Sequence, residues 1–318
     1  MLVETEAVNK NCRAVLRCCP DLDGPASRHG RDPSRASRGV DDERHLRGSI
    51  LRPRKGLFPE GRTERRGHTS FNNGAALAAA VATGNADFGV STPIGIAQAV
   101  SRGVPFTIVA AGALNTAKDP AGLIVVAKTS PLRNAKGFEG KTFAINALKT
   151  GSELVLDAWL GENSVDISKV HVVEMPFSEM AAALQRGTVD GALMTEPALS
   201  QALNSTVRSL ANANLAVAPQ YLLSAWFTTE AYAQKNPDVV KRFVTAIYEA
   251  GRWANKNRGE SAPILAKHAK LDVDVTRTML RVTYTDALRA SEIQPQLDLG
   301  VKYGILQRPM VAAELLAR

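Results

Sequence analysis

Apolar residues recur at helical spacing through AALAAAVA, stop at Gly84, and resume as the short run FGV after Asp87. A polar turn, STP, then leads into a second helical pattern. About a hundred residues later the chain says the same thing again: AAAVATGNADFGV at 78–90 lies over AAALQRGTVDGAL at 181–193 without a gap. The correspondence carries residues 72–100 onto 175–203 at one constant offset, and Ala78, Ala79, Ala80, Gly84, Asp87, Thr92, Gln98 and Ala99 all find identical partners. In each copy an Ala-rich helix is predicted to end at a glycine, Gly84 or Gly187, suited to the left-handed C-cap. A short apolar strand follows near Asp87 or Asp190. Thr92 or Thr195 then serves as N-cap, with Pro93 or Pro197 suited to the first turn of the next helix.

Helix, strand, polar turn, helix is the crossover grammar of α/β proteins, and two copies imply two similar lobes. Before the second copy, KTFAINALKTGSELVLDAWL predicts a strand, a turn and a helix. The first copy's counterpart would fall before residue 70, so that strand, loop and helix are expected to be missing or scrambled, with KGLFPEG near Lys55 as a candidate remnant. After the second copy, NLAVAPQYLLSAWFTT reads as strands. Asn236 as N-cap and Pro237 at N1 open a long helix that places Val240, Phe243, Ile247, Ala250 and Ala254 on one core-facing side. DVDVTRTMLRVTY and QPQLDLGVKYGIL extend the helical pattern and are expected to pack on the first lobe. Chain crossings at 112–122 and 212–226 give a hinged clamshell: 68–115 with 218–318 as lobe 1, and 116–217 as lobe 2.

A length of 318 residues with 45% apolar and 22% charged content accommodates two such lobes. The longest apolar stretches, such as AGLIVVA, fall well short of the roughly 20 residues a spanning helix needs, so a soluble or at most anchored chain is expected. The net charge of +8 is unevenly spread, because residues 1–66 hold thirteen arginines and contribute +5 of it. With the remainder only mildly basic and aromatics scarce, a nucleic-acid groove is not expected. Three cysteines, Cys12, Cys18 and Cys19, offer neither a disulfide frame nor a metal spacing, and no cofactor is implied.

Residues 1–67 carry no apolar periodicity and no secretory apolar core, so disorder is predicted there. Two readings of this stretch stay open. One is a basic tail that binds something. The other is out-of-frame translation of a GC-rich gene, because RTERRGHT back-translated with GC-rich codons and moved by one base reads AGLNVEV, a plausible strand leading into SFNNG.

Four phrases in order, SFNNGAALAAAVATGNADFGVSTP, VVAKTSPLRNAKGFEGKTFAIN, VEMPFSEMAAALQRGTVDGALMTEPAL and SAWFTTEAYAQKNPDVVKRF, carry a resemblance over residues 70–306. The chain resembles substrate-binding proteins of ABC importers in the nitrate, sulfonate, taurine and thiamine-precursor group. That resemblance implies a type II periplasmic-binding-protein fold, each lobe a mostly parallel sheet flanked by helices, with closure on a small ligand and delivery to a membrane permease. It implies a periplasmic monomer, whereas the chain as written carries no signal peptide and would stay cytoplasmic.

In open α/β sheets ligands sit beyond the carboxyl ends of the strands. The candidate ligand-binding turns are Asn72, Asn73 and Gly74; Ser91 and Thr92; Lys149, Thr150, Gly151 and Ser152; and Thr195 with Glu196. Helix N-termini there suit an oxyanion without a dedicated arginine. The same residue types also serve as plain helix caps. Glu196 facing the cleft would instead favour a ligand with donors, such as an aminopyrimidine, unless it stabilises the helix behind it. Trp226, at the second crossing, is either an apolar wall over the ligand or core, while Trp159 and Trp253 read as core. A pyrimidine-synthesis-type enzyme would need a reactive His or Lys in the cleft; Lys149 is the one candidate, and no GxSxG, P-loop or HExxH occurs. A non-exported sensor on the same fold, and a chain too damaged to complete its first lobe, are the remaining alternatives.

Overall fold

The computed structural model describes residues 48–50, 69–71, 74–269 and 271–317. The strands are β1 (Gly48–Ile50), β2 (Thr69–Phe71), β3 (Gly89–Ser91), β4 (Phe106–Ala111), β5 (Ala113–Thr116), β6 (Gly122–Ala127), β7 (Thr142–Ile145), β8 (His171–Glu174), β9 (Gly191–Thr195), β10 (Val207–Ala211), β11 (Gln220–Leu222), β12 (Ala225–Thr229) and β13 (Thr283–Tyr284). The α-helices are α1 (Gly74–Ala82), α2 (Pro93–Ser101), α3 (Gly151–Glu162), α4 (Phe177–Arg186), α5 (Ala198–Ser205), α6 (Glu230–Lys235), α7 (Pro237–Lys256), α8 (Arg258–Ala269), α9 (Val273–Thr278) and α10 (Gln294–Lys302).

The repeat folds as its pattern demands. Helix α1 buries Leu77, Ala80 and Val81, and Gly84 follows it at φ 71°. Its counterpart α4 buries Met180, Ala183 and Leu184 and stops at Gly187, φ 70°, whose N–H turns back to the Ala183 and Leu184 carbonyls. Only glycine enters that left-handed region without a Cβ penalty, so both stops are written in the sequence.

Three sheets organise the molecule. A five-stranded sheet, order β10-β6-β9-β7-β8, is drawn from one continuous piece of chain. A three-stranded sheet, order β3-β12-β4, takes its middle strand from far along the sequence. Strands β11 and β5, from the two crossings, form a small sheet with β13 from the C-terminal part of the chain. Among the described residues, parallel pairing joins β7 to β8 and β7 to β9, with one isolated parallel bridge from Ile108 to Leu316, and the other strand pairs are antiparallel, which corrects the expectation of mostly parallel sheets. The reason is the crossing itself: β12 returns from the other lobe and enters antiparallel to both β3 and β4, and β6 enters its sheet antiparallel to β9. A short strand at Gly48–Ile50 pairs antiparallel with Thr69–Phe71, inside the stretch whose composition predicts none; the uncharged GSI supplies backbone groups to TSF. The rest of residues 1–67, including KGLFPEG, lies outside the described residues.

Each large sheet has its own core. Leu77, Ile94, Ile108, Phe227, Leu297 and Leu306 cluster around the three-stranded sheet, and Ile124, Phe143, Leu156, Trp159 and Leu193 pack on the five-stranded one. Leu154 is an exception, because it sits on α3 beside the second sheet yet packs into the first sheet's cluster. Helix α7 buries Phe243, Ile247, Ala250 and Ala254, with Val240 partly covered, as its spacing predicts. Two C-terminal expectations need correction. Thr283 and Tyr284 form β13 on the crossing sheet rather than continuing a helix, because they pair with Leu114 and Ala113. Helix α9 packs on α8 and α5, and Leu280 just after it lies on the second lobe's Met180 and Leu199 cluster, not on the first lobe. At the crossings, buried Asn214 donates to the Gly122 carbonyl at 2.9 Å and accepts from the Tyr221 hydroxyl at 2.7 Å, so these two polar contacts tie the crossing segments together. No helix among the described residues is long and apolar enough to cross a membrane.

Candidate functional site

Because β7, β8 and β9 run parallel, their carboxyl ends share one edge of the sheet, and the turns after them open α3, α4 and α5. The start of α2 comes up to that edge from the other lobe: a methyl built on Gly151 would lie 3.5 Å from the methyl of Thr92. The structure thus brings Ser91, Thr92 and the 149–152 turn together, two helix N-termini facing each other across the seam.

Thr92 is an N-cap, accepting from Gly95 N at 3.2 Å. Thr150 caps α3, accepting from Ser152 N at 3.3 Å while donating to the Ala147 carbonyl at 2.7 Å. The Ser152 hydroxyl donates to Asn146 Oδ1 at 2.5 Å. Cap duty uses one acceptor position of the Thr92 hydroxyl and leaves its O–H for another partner. Lys149 stands at φ 55°, a left-handed value unusual for a residue with a side chain. Its N–H donates to the Glu153 carboxylate, its carbonyl accepts from Gln98 Nε2 at 2.9 Å, and its exposed ammonium lies 4.0 Å from Glu153. Gln98, whose contact with this turn the sequence does not predict, is identical with Gln201 in the repeat.

One turn deeper on α3, Asp157 is 7% exposed. Burial pushes its carboxyl up to about 7, the nearby Glu153 charge adds to this, and Lys149 opposes it.

The other candidates fall elsewhere. Thr195 ends β9 paired with Gly122 and is not the cap of α5, whose N-cap is Pro197 without a side-chain cap bond; Glu196, just before it, accepts from Ser200 N at 3.1 Å and Ser200 Oγ at 2.7 Å in the first turn. Glu196 also accepts from Leu280 N at 2.9 Å, tying α5 to the segment after α9. Three donors occupy this carboxylate, which is the helix-stabilising alternative rather than the ligand-facing one. Glu196→Ala should lower unfolding stability by about 1–2 kcal/mol, because two backbone donors lose their acceptor; urea unfolding at unchanged m-value is the check.

Trp226 is core, a correction to its reading as a cleft wall: 2% exposed, it packs with Phe88, Val109 and Phe243 on the face of β12 turned toward α7. The alternation along the strand decides this, since Ala225 and Phe227 point into the other cluster. Trp159 is buried as expected, while Trp253 is only partly covered. Gly74 opens α1. Asn72 and Asn73 lie outside the described residues. His171 begins β8, at the sheet edge opposite the turns, and is exposed.

The NMT1/THI5 like family matches residues 70–261 of the chain. The chain belongs to the NMT1/THI5 like family. Among curated relatives, this NMT1/THI5 like chain is 28% identical over 184 residues to the taurine-binding periplasmic protein of Escherichia coli (strain K12), covering 57% of this chain and 54% of that protein. The chain spans about half the length of the curated relatives it matches. Among solved structures it is similar to the periplasmic aliphatic sulphonate binding protein SsuA from Escherichia coli, at TM-score 0.66 and 21% identity, covering 78% of this chain and 80% of that one. The desulfurization enzyme DSZB is also similar, at TM-score 0.54 and 14% identity over 72% of this chain and 82% of that one. At these identities the two structural likenesses show the fold alone. They show that the two-lobed α/β fold of this chain is shared both with a sulphonate binding protein and with an enzyme.

Proposed function

We propose that this NMT1/THI5 like protein is the solute-binding subunit of an ABC importer, capturing a small alkanesulfonate or taurine-like anion between its lobes and handing it to a permease. The observation that carries this is the meeting of two helix N-termini, at Thr92 and at Thr150–Ser152, where the positive end of each helix favours an oxyanion. Glu196, the residue that would have recruited an amine or aminopyrimidine, spends its oxygens on Ser200 and Leu280. The curated relative that binds taurine in the periplasm supports the same ligand class and compartment.

An enzymatic role gains no support from Lys149, whose ammonium is exposed and pairs with Glu153 rather than standing desolvated in a pocket. Thermal unfolding of the full chain with taurine, methanesulfonate, nitrate, bicarbonate and an aminopyrimidine tests the proposal. A sulfonate at a hundred times its Kd should add about 2.7 kcal/mol of stability. A shift with the aminopyrimidine alone would move the ligand class, and a shift with none of the panel would remove the reading.

A further inference from the structure

Lys149 is held in its left-handed conformation from two directions. Its N–H is bound within its own lobe, by Glu153 on the helix it precedes, but its carbonyl is bound by Gln98 on α2, which flanks the other lobe's sheet. The same Gln98 amide nitrogen donates at 3.3 Å to the Ile305 carbonyl beyond α10, so the side chain is anchored at its own end while it reaches across. Both amide hydrogens are thereby directed at carbonyl oxygens, an arrangement that neither a carboxylate nor an aliphatic side chain can reproduce. A residue with a Cβ in this backbone region persists only where its surroundings over-determine it, and half of what determines Lys149 comes from the opposite lobe.

The turn fixed in this way is the one that presents the start of α3. Around the contact, Gly151 leaves room for Thr92, and Leu154 lies in the other lobe's apolar cluster. Separation of the lobes removes Gln98 from the Lys149 carbonyl, and the turn then loses one of its two restraints.

We propose that Gln98 is a positioning residue that shapes the 149–152 turn from across the seam, so that the anion-binding N–H groups of α3 are correctly aimed only when the lobes are together. The inference rests on the sulfonate-binding reading for its effect on affinity, but not for its effect on the turn.

The test uses the full chain with Gln98→Ala and, as a variant of nearly unchanged size, Gln98→Glu, whose carboxylate would face two carbonyls without a donor. Amide exchange over residues 149–154 should quicken roughly tenfold in both, and affinity for taurine or methanesulfonate should fall roughly tenfold, mainly through faster dissociation. Glycine at position 149 adopts the left-handed turn unaided, so in a Lys149→Gly background the added loss on changing Gln98 should shrink to about twofold. A merely structural role would give the same loss in both backgrounds. That result, or unchanged exchange at 149–154 in folded variants, would overturn the proposal. If the unaltered chain binds neither sulfonate, the ligand reading fails, and the exchange measurement still decides whether Gln98 shapes the turn.

Discussion

Replacing Trp226 by alanine should cost about 3–5 kcal/mol of unfolding stability, the range for emptying a large aromatic site in a packed core. The indole meets the Phe243 ring edge-on at 5.2 Å, Phe243 stacks on Phe88 at 3.9 Å, and Phe88 meets Tyr232 at 5.6 Å. This row of four rings fastens α6 and α7 to β12, and truncation at its end leaves a void that the rigid strand cannot fill. Each aromatic contact contributes about 0.5–1.5 kcal/mol beyond its buried area. Chemical denaturation measures the loss directly. A side chain walling a ligand cleft would behave the other way round, with a small stability change and a large change in affinity, and that outcome would return Trp226 to the site.

The second large effect concerns acidity. Asp157 ionises near 3.8 when unfolded and at about 7 when folded, so between those values the folded chain binds a proton that the unfolded chain does not. Stability from this group is fully present below pH 3.8, falls as the pH rises, and is gone above about 7. At about 1.4 kcal/mol per pKa unit the swing is on the order of 3–4 kcal/mol. Asp157→Asn should therefore raise stability at pH 8 by about that amount and flatten the decline between pH 4 and 7. Unfolding midpoints measured across that window test both the sign and the size. An unchanged slope in the Asn variant would show that the decline belongs to other groups.

What the sequence disclosed follows a physical line. Gly84, Gly187, Thr92 and the face of α7 were legible because each rests on local chemistry: a left-handed stop, a cap, a period of three to four. The pairing sense of β12 and the strand at Thr283–Tyr284 were not, since both are decided by partners more than a hundred residues away. Glu196 illustrates the boundary within one residue. Its hold on Ser200 is a local helix-start contact and was among the readings, whereas its bond to Leu280 depends on how the C-terminal segment is laid on α5. Trp226 was ambiguous for a related reason, because which side of a strand faces the core is set by register, and register by the neighbouring strands.

The placement of β12 between β3 and β4 also governs the order in which the two large sheets have all their strands available. All five strands of the second lobe's sheet lie between residues 122 and 211, so that sheet has every partner available once residue 211 has left the ribosome. The first lobe's sheet, although it starts earlier, lacks its central strand until Thr229 emerges, and β3 and β4 have no hydrogen-bonded neighbour between them before then. Synthesis runs from the N-terminus, but the sheet whose strands are all present first is the one encoded in the middle of the chain. The lobe encoded first is the lobe completed last.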